Sequence, residues 1–152
     1  MQLTTKQAES LELMERLSFV DFTTIDPDGF PSTRAMLNLR NKQNYPHFVA
    51  LHEAESNPLT VFLTTNTSSE KVGVIRQNAK ACLYYCDAAA FHAVLLHGTV
   101  EIVTDNALRQ KAWQKGWEVY YPKGDADYTL LRFTPTKLKT YSDFSAAAEE
   151  VR

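Results

Sequence analysis

The chain has 152 residues, the size of one domain able to bury roughly two-thirds of the surface its unfolded form exposes. Its 16 basic and 18 acidic residues leave a net charge of −2 with no long block of one sign, which argues against nucleic acid as a partner. With 44% hydrophobic and 22% charged residues the composition is that of a globular protein, and no apolar run approaches the roughly 20 residues that span a bilayer.

Residues 5–17 place Ala8, Leu11, Met14 and Leu17 at three-residue intervals with charges between them, which predicts an amphipathic helix over one end of the core. Glu9, Glu12 and Glu15 stand where a signal peptide has a basic and then an apolar region, so a cytoplasmic protein is the expectation. SFVDFTTI (18–25) and PSTRAMLNL (31–39) read as the two strands of a hairpin around the turn Asp26-Pro27-Asp28-Gly29. In the second strand Ser32, Arg34, Met36 and Asn38 alternate with Thr33, Ala35, Leu37 and Leu39. Residues 40–58 are expected to be a loop with a short strand at 47–51. LTVFLTT (59–65) is a strand by its β-branched residues, and KVGVIRQN (71–78) a short helix.

Two further strands follow at about 80–87 and 92–103, with Gly98 placed for a bulge. Thr104-Asp105 is positioned to cap a helix over 106–117, YYPKGDAD is a loop, and TLLRFTPTKLKTY supplies one or two last strands broken at Pro135. SAAAEEVR reads as a frayed or short helical tail. Six or seven strands joined by hairpins, with three helical segments, predict a mainly β fold: an antiparallel barrel or sandwich in one domain spanning 1–152.

Cys82 and Cys86 lie four apart on one predicted strand, about 13 Å, which is too far for a disulfide, and they are expected to be buried thiols. His92 and His97, and His47 and His52 if extended, are five apart and point to opposite faces, so no metal site is expected. No Ser-His-Asp or Cys-His arrangement and no carboxylate pair stands out. Trp113 and Trp117 read as core or interface packing, or as a wall of a substrate pocket.

The stretch TTNTSSEKV (64–72) has two readings. Thr67-Ser68-Ser69-Glu70 fits a capping box at a helix start. The same turn, with free amides, the hydroxyls of Thr64, Thr65 and Ser69, and the charge of Lys71, also suits a phosphate. Arg34 would add a second cation if its strand lies beside 59–65; alternatively it faces solvent.

The ordered set FVDFTTIDPDGFPSTRAM, VFLTTNTSSEKV, QNAKACLYYCD, VLLHGTVEIV and LLRFTPTKLKTY resembles the flavin-binding split-barrel proteins related to pyridoxamine 5'-phosphate oxidase, especially their short, general-stress-protein-like members. The similarity covers roughly residues 5–141. It implies a split β-barrel that binds flavin mononucleotide (FMN), with Arg34 and Lys71 on the phosphate and Ser69 assisting. Thr64 and Thr65 would meet the ribityl chain or phosphate, and the backbone of Ala35, Met36 and Leu37 would run along the isoalloxazine edge. The resemblance also implies a homodimer with flavin sites at the interface and an oxidoreductase passing hydride between a reduced nicotinamide and a small acceptor. The alternative is a protein that binds or senses a flavin, a deazaflavin or haem without turnover.

The chain departs from the fuller oxidases at four places. Glu70 stands where they have a second basic residue, Leu39 where they have a lysine, and Ala93 near where a polar residue reaches the partner's flavin. Their C-terminal aromatic and arginine have no counterpart after Tyr141, which argues against vitamin B6 oxidation.

Overall fold

The computed structural model describes residues 2–152. Helix α1 (Thr5–Arg16) begins at a capping box, in which the Thr4 hydroxyl accepts from the Gln7 amide at 3.1 Å and the Gln7 side chain accepts from the Thr4 amide at 3.2 Å. Its buried face carries Gln7, Ser10, Leu13 and Met14, with Leu11 and Leu17 packed at the margin, so Leu11, Met14 and Leu17 of the predicted stripe meet the core while Ala8 stays half-buried beside it.

Seven antiparallel strands form one curled sheet: β1 (Phe19–Ile25), β2 (Pro31–Leu37), β3 (Val61–Asn66), β4 (Lys80–Asp87), β5 (His92–Ile102), β6 (Tyr128–Ser142) and β7 (Ser145–Glu150). Their order is β2-β1-β4-β5-β6-β3, with β7 beside β6. β6 is long enough to pair with β3 through residues 128–133 and with β7 through 137–142 on the same edge. The sheet curls until β2 packs against β3 with no ladder between them, which is the split in the barrel.

Helices α2 (Phe48–Glu53), α3 (Glu70–Gln77) and α4 (Asn106–Ala112) complete the fold with short 3₁₀ turns at Trp117–Val119 and Gly124–Ala126. α3 and α1 close the barrel interior over Phe22, Leu63, Leu83, Tyr85, Leu96 and Phe133. On the outer face of β3 and β6 a second core holds Phe48, Phe62, Trp117, Tyr121, Tyr128 and Leu130 beneath α2 and α4. Alternation sends Val61 and Leu63 into the first core and Phe62 into the second. β3 is therefore buried on both faces, which is why LTVFL is an unbroken apolar run.

Four expectations are corrected here. Residues 47–51 are not a strand: Phe48–Glu53 is helical because one turn brings Phe48 and His52 together into the second core. The tail 145–150 is a strand, because β6 runs past the end of β3 and leaves a free ladder for it. α4 stops at Ala112 and Trp113 is extended, although Asp105 caps it as expected, accepting from the Ala107 and Leu108 amides. Cys82 and Cys86 are free thiols, as expected, but Cys82 is half-buried and Cys86 exposed, because both lie on the outer face of β4.

The ladder of β5 and β6 shifts register between His97 and Gly98, at the foreseen bulge, and Pro135 sits opposite Gly98 inside a continuous β6. A Cβ at Gly98 would stand 2.3 Å from the Thr134 carbonyl oxygen and 2.7 Å from the Phe133 ring. Gly98→Ala is expected to destabilise the fold by about 1–3 kcal/mol in denaturant unfolding, the range for overpacking a tight site. An unchanged midpoint would contradict this close approach. Among the described residues no helix is long and apolar enough to cross a membrane.

Candidate functional site

The turn between β3 and α3 is held from outside. Asp127, at the foot of β6, accepts from the Ser68 amide at 2.8 Å, the Ser68 hydroxyl at 3.1 Å and the Asn66 side-chain amide at 3.0 Å, while its carbonyl takes the Thr67 amide at 2.9 Å. These bonds, the one from the Ser68 amide foremost, hold the Asp127 carboxyl below the usual carboxylate range. The Thr67 hydroxyl pairs with that of Thr129 at 2.6 Å.

The expected capping box is not formed. With Thr67 and Ser68 fixed by β6 and Asp127, the cap falls to Ser69, whose side chain makes no capping bond. Its hydroxyl instead accepts from Lys71 Nζ at 2.6 Å, and the same ammonium donates to Thr65 Oγ1 at 2.8 Å. The amides of Glu70 and Lys71, in the first turn of α3, have no acceptor among the described residues.

Arg34 does not simply face solvent. It lies on the inner side of β2 with Met36, and Nη1 donates to Thr24 Oγ1 at 2.8 Å and to the Phe22 carbonyl at 3.3 Å, with the guanidinium carbon 5.7 Å from the Phe22 ring centre. Its remaining donors are without partners among the described residues. Burial lowers the pKa of Arg34, opposed by Asp26 and Glu70, and burial together with the charge of Arg34 lowers that of Lys71. β2 and the first turn of α3 thus bring two partly desolvated cations near enough to repel. Glu70 is the carboxylate of this turn, where it offsets part of that charge.

The other expected residues divide by strand geometry. Bonds from the Asn38 amide to the Ser18 carbonyl at 3.2 Å and from the Asp26 amide to the Phe30 carbonyl at 2.9 Å fix the pairing phase of β1 and β2. By alternation Met36 exchanges its backbone bonds with Val20, while Ala35 and Leu37 turn theirs to the free edge of β2. Thr64 and Thr65 point to opposite faces: Thr65 joins Lys71, and Thr64 enters the second core. Thr64 Oγ1 is buried with no hydrogen-bond partner among the described residues. The Tyr121 phenol, its pKa raised by burial, is near enough to feel that hydroxyl but falls short of a bond. Trp117 is core, whereas the half-buried Trp113 also lines a cavity beside α4.

Sequence reasoning missed Asp127 and Asn66. Asn66 was legible as part of the polar turn, but Asp127 is 59 residues from Ser68 and carries no local signal of the contact. Among the described residues no group of three or more His, Cys, Asp and Glu could hold a metal ion.

The chain is thus a curled antiparallel half-barrel with two neighbouring cations, Arg34 and Lys71, at the split. The family model for pyridoxamine 5'-phosphate oxidase matches residues 7–142, and the chain belongs to that family. One similar solved structure is a Clostridium acetobutylicum protein related to general stress protein 26 of B. subtilis, of the pyridoxinephosphate oxidase family. It is 33% identical, with 94% of this chain and 92% of that one covered and a TM-score of 0.75. A pyridoxamine 5'-phosphate oxidase-related, FMN-binding protein from Nostoc punctiforme shares the fold at 14% identity, with 100% of each chain covered and a TM-score of 0.61. A heme-binding protein from Mycobacterium smegmatis does so at 11% identity over 99% of this chain and 60% of that one, with a TM-score of 0.69. Among curated proteins no match is found.

Proposed function

We propose that this protein binds FMN and is an oxidoreductase passing hydride from a reduced nicotinamide to a small acceptor. The observation that carries the reading is the donor set at the split: Lys71 held on two hydroxyls, Arg34 with donors to spare, and two open amides at the start of α3. A phosphate offers the charge and acceptors that such a set lacks, so the residues fit the phosphate end of FMN. The Nostoc relative, described as FMN-binding, supports the choice of flavin.

In this reading Arg34 and Lys71 take the phosphate with Ser69, Thr65 serves the phosphate or ribityl end, and the free backbone of Ala35 and Leu37 meets the ring edge. Met36, its backbone engaged with β1, contributes side-chain bulk beneath that edge. Thr64, on the opposite face of β3 beside Tyr121, backs the Thr65 end of the site from within the second core. Bound FMN supplies a ring that accepts and releases hydride, while these residues supply position and charge.

A homodimer is the proposed assembly. The outer face of β1 and β4 carries no helix and exposes Phe19 (61%) and Tyr84 (37%), apolar surface continuous with half-buried Leu95 on β5. Tyr84→Asp combined with Leu95→Asp is expected to convert a particle of twice 17.2 kDa to one of 17.2 kDa in light scattering. A wild-type monomer, or a double variant that stays dimeric, would contradict this face.

Anaerobic titration with NADPH and NADH tests the activity. Bleaching of the bound flavin's visible absorbance, then its return on adding an acceptor, is expected; a flavin that stays oxidised under both nicotinamides would sink the hydride reading and leave the binding reading standing.

A further inference from the structure

A cavity of about 510 Å³ opens between α4 and the Gly124–Ala126 turn, and it shares no residue with the Arg34–Lys71 site. Its walls include the rings of Trp113 and Tyr128, which meet edge to face with centres 5.2 Å apart. Arg109 lies across the Tyr128 ring, its guanidinium carbon 5.5 Å from the centre, with its side chain only 18% exposed. The pairing of this cation is lopsided. Nη2 carries both bonds, to the Tyr128 carbonyl at 2.8 Å and to Asp125 Oδ1 at 2.5 Å, while Nε is buried with no acceptor among the described residues.

A guanidinium edge with two parallel donors matches a carboxylate held by both oxygens. Asp125 engages one donor only, and at 78% exposed it is a surface partner that water can replace. We propose that this cavity is a second ligand site, for an aromatic monocarboxylate. Its carboxylate displaces Asp125 and bonds the Nε–Nη2 edge of Arg109, and its ring fills the apolar space against Trp113 and Tyr128. Glu118 sets the charge limit. One of its oxygens accepts from the Gly116 amide at 2.8 Å, and its charge on the cavity wall repels a second carboxylate on the ligand.

The proposal is independent of the flavin reading and is tested by calorimetric titration of the purified protein with 2-naphthoate, its neutral isostere 2-naphthamide, and 2,6-naphthalenedicarboxylate. Naphthoate is expected to bind roughly tenfold or more tighter than the amide, the effect of charge-assisted bonds to the guanidinium. The dicarboxylate should bind more weakly than the monoacid. Asp125→Asn removes the competing carboxylate and should tighten naphthoate several-fold while leaving the amide unchanged; Arg109→Gln should reduce the acid to the level of the amide. Because Arg109 also ties down the Tyr128 carbonyl, the Asp125 variant keeps the test decisive if the Arg109 variant fails to fold. Of the two indole N–H signals, that of Trp113 should shift on binding and that of the buried Trp117 should not. No binding by either monosubstituted probe, equal binding of acid and amide, or indifference of the acid to Asp125→Asn would overturn the proposal.

Discussion

Lys71→Ala and Arg34→Ala are each expected to weaken FMN binding by about 1.5–3 kcal/mol, the range for hydrogen bonds that involve a charged group. Riboflavin, which has the same ring and ribityl chain but no phosphate, should bind nearly as before. Lys71 is the cleaner probe, because among the described residues its ammonium bonds only Thr65 and Ser69, hydroxyls that the helix start can hand to water. Arg34 also bridges to Thr24 and the Phe22 carbonyl on β1, so its loss should lower stability slightly as well. Glu70→Gln acts in the opposite direction: removing the carboxylate near Arg34 should tighten FMN, since it opposes the phosphate in charge. Fluorescence quenching of the two flavins against each variant measures all of this, and equal losses for FMN and riboflavin would place the phosphate elsewhere.

Acid should destabilise the fold through His52. Its Nε2 accepts from the Phe62 amide at 3.3 Å, it is 4% exposed, and burial, with the charge of Arg40 second, pushes its pKa down to about 2. The unfolded chain takes up this proton below about pH 6.5, whereas the folded chain refuses it, so the contribution is whole above pH 6.5 and is lost as pH falls. One such group costs about 1.4 kcal/mol per pH unit, or about 2.7 kcal/mol by pH 4.5. His97, also lowered by burial and then by Lys139 and Lys137, adds to the slope with the same sign. Denaturant unfolding from pH 7 to 4.5 should show this fall, and His52→Gln should flatten it by one proton whatever it does to stability at pH 7. A variant with the wild-type slope would mean that His52 titrates normally in the fold.

The parts of the fold legible in the sequence are those with local causes. The Asp26–Gly29 turn fixes the first hairpin, and Gly98 marks a bulge because no other residue fits against Thr134 and Phe133. The segments misread are those decided at a distance. FVALHE has the short apolar run of a strand, and only the second core, built largely from residues after 60, makes a helix of it. SAAAEE is rich in helix formers, but six residues are too few to hold a helix alone and the open edge of β6 recruits them.

The site divides in the same way. Arg34, Ser69, Thr65 and Lys71 were recoverable because the hairpin and the polar turn each announce themselves, although their meeting depends on the curl that brings β2 to β3. The opposite orientation of Thr64 and Thr65 follows from the period of a strand once its limits are known. What the turn's own residues could not reveal is why its cap is Ser69: Asp127, from beyond two more strands and two helices, holds Thr67 and Ser68 in place.

The central claim is most directly tested by the chromophore that the purified protein releases on denaturation. The account predicts FMN, recognised by its two absorption bands in the blue and near ultraviolet and by its mass, or a colourless protein that takes up added FMN in preference to riboflavin. An intense Soret band from haem, a bound deazaflavin, or a protein that binds neither flavin would contradict it.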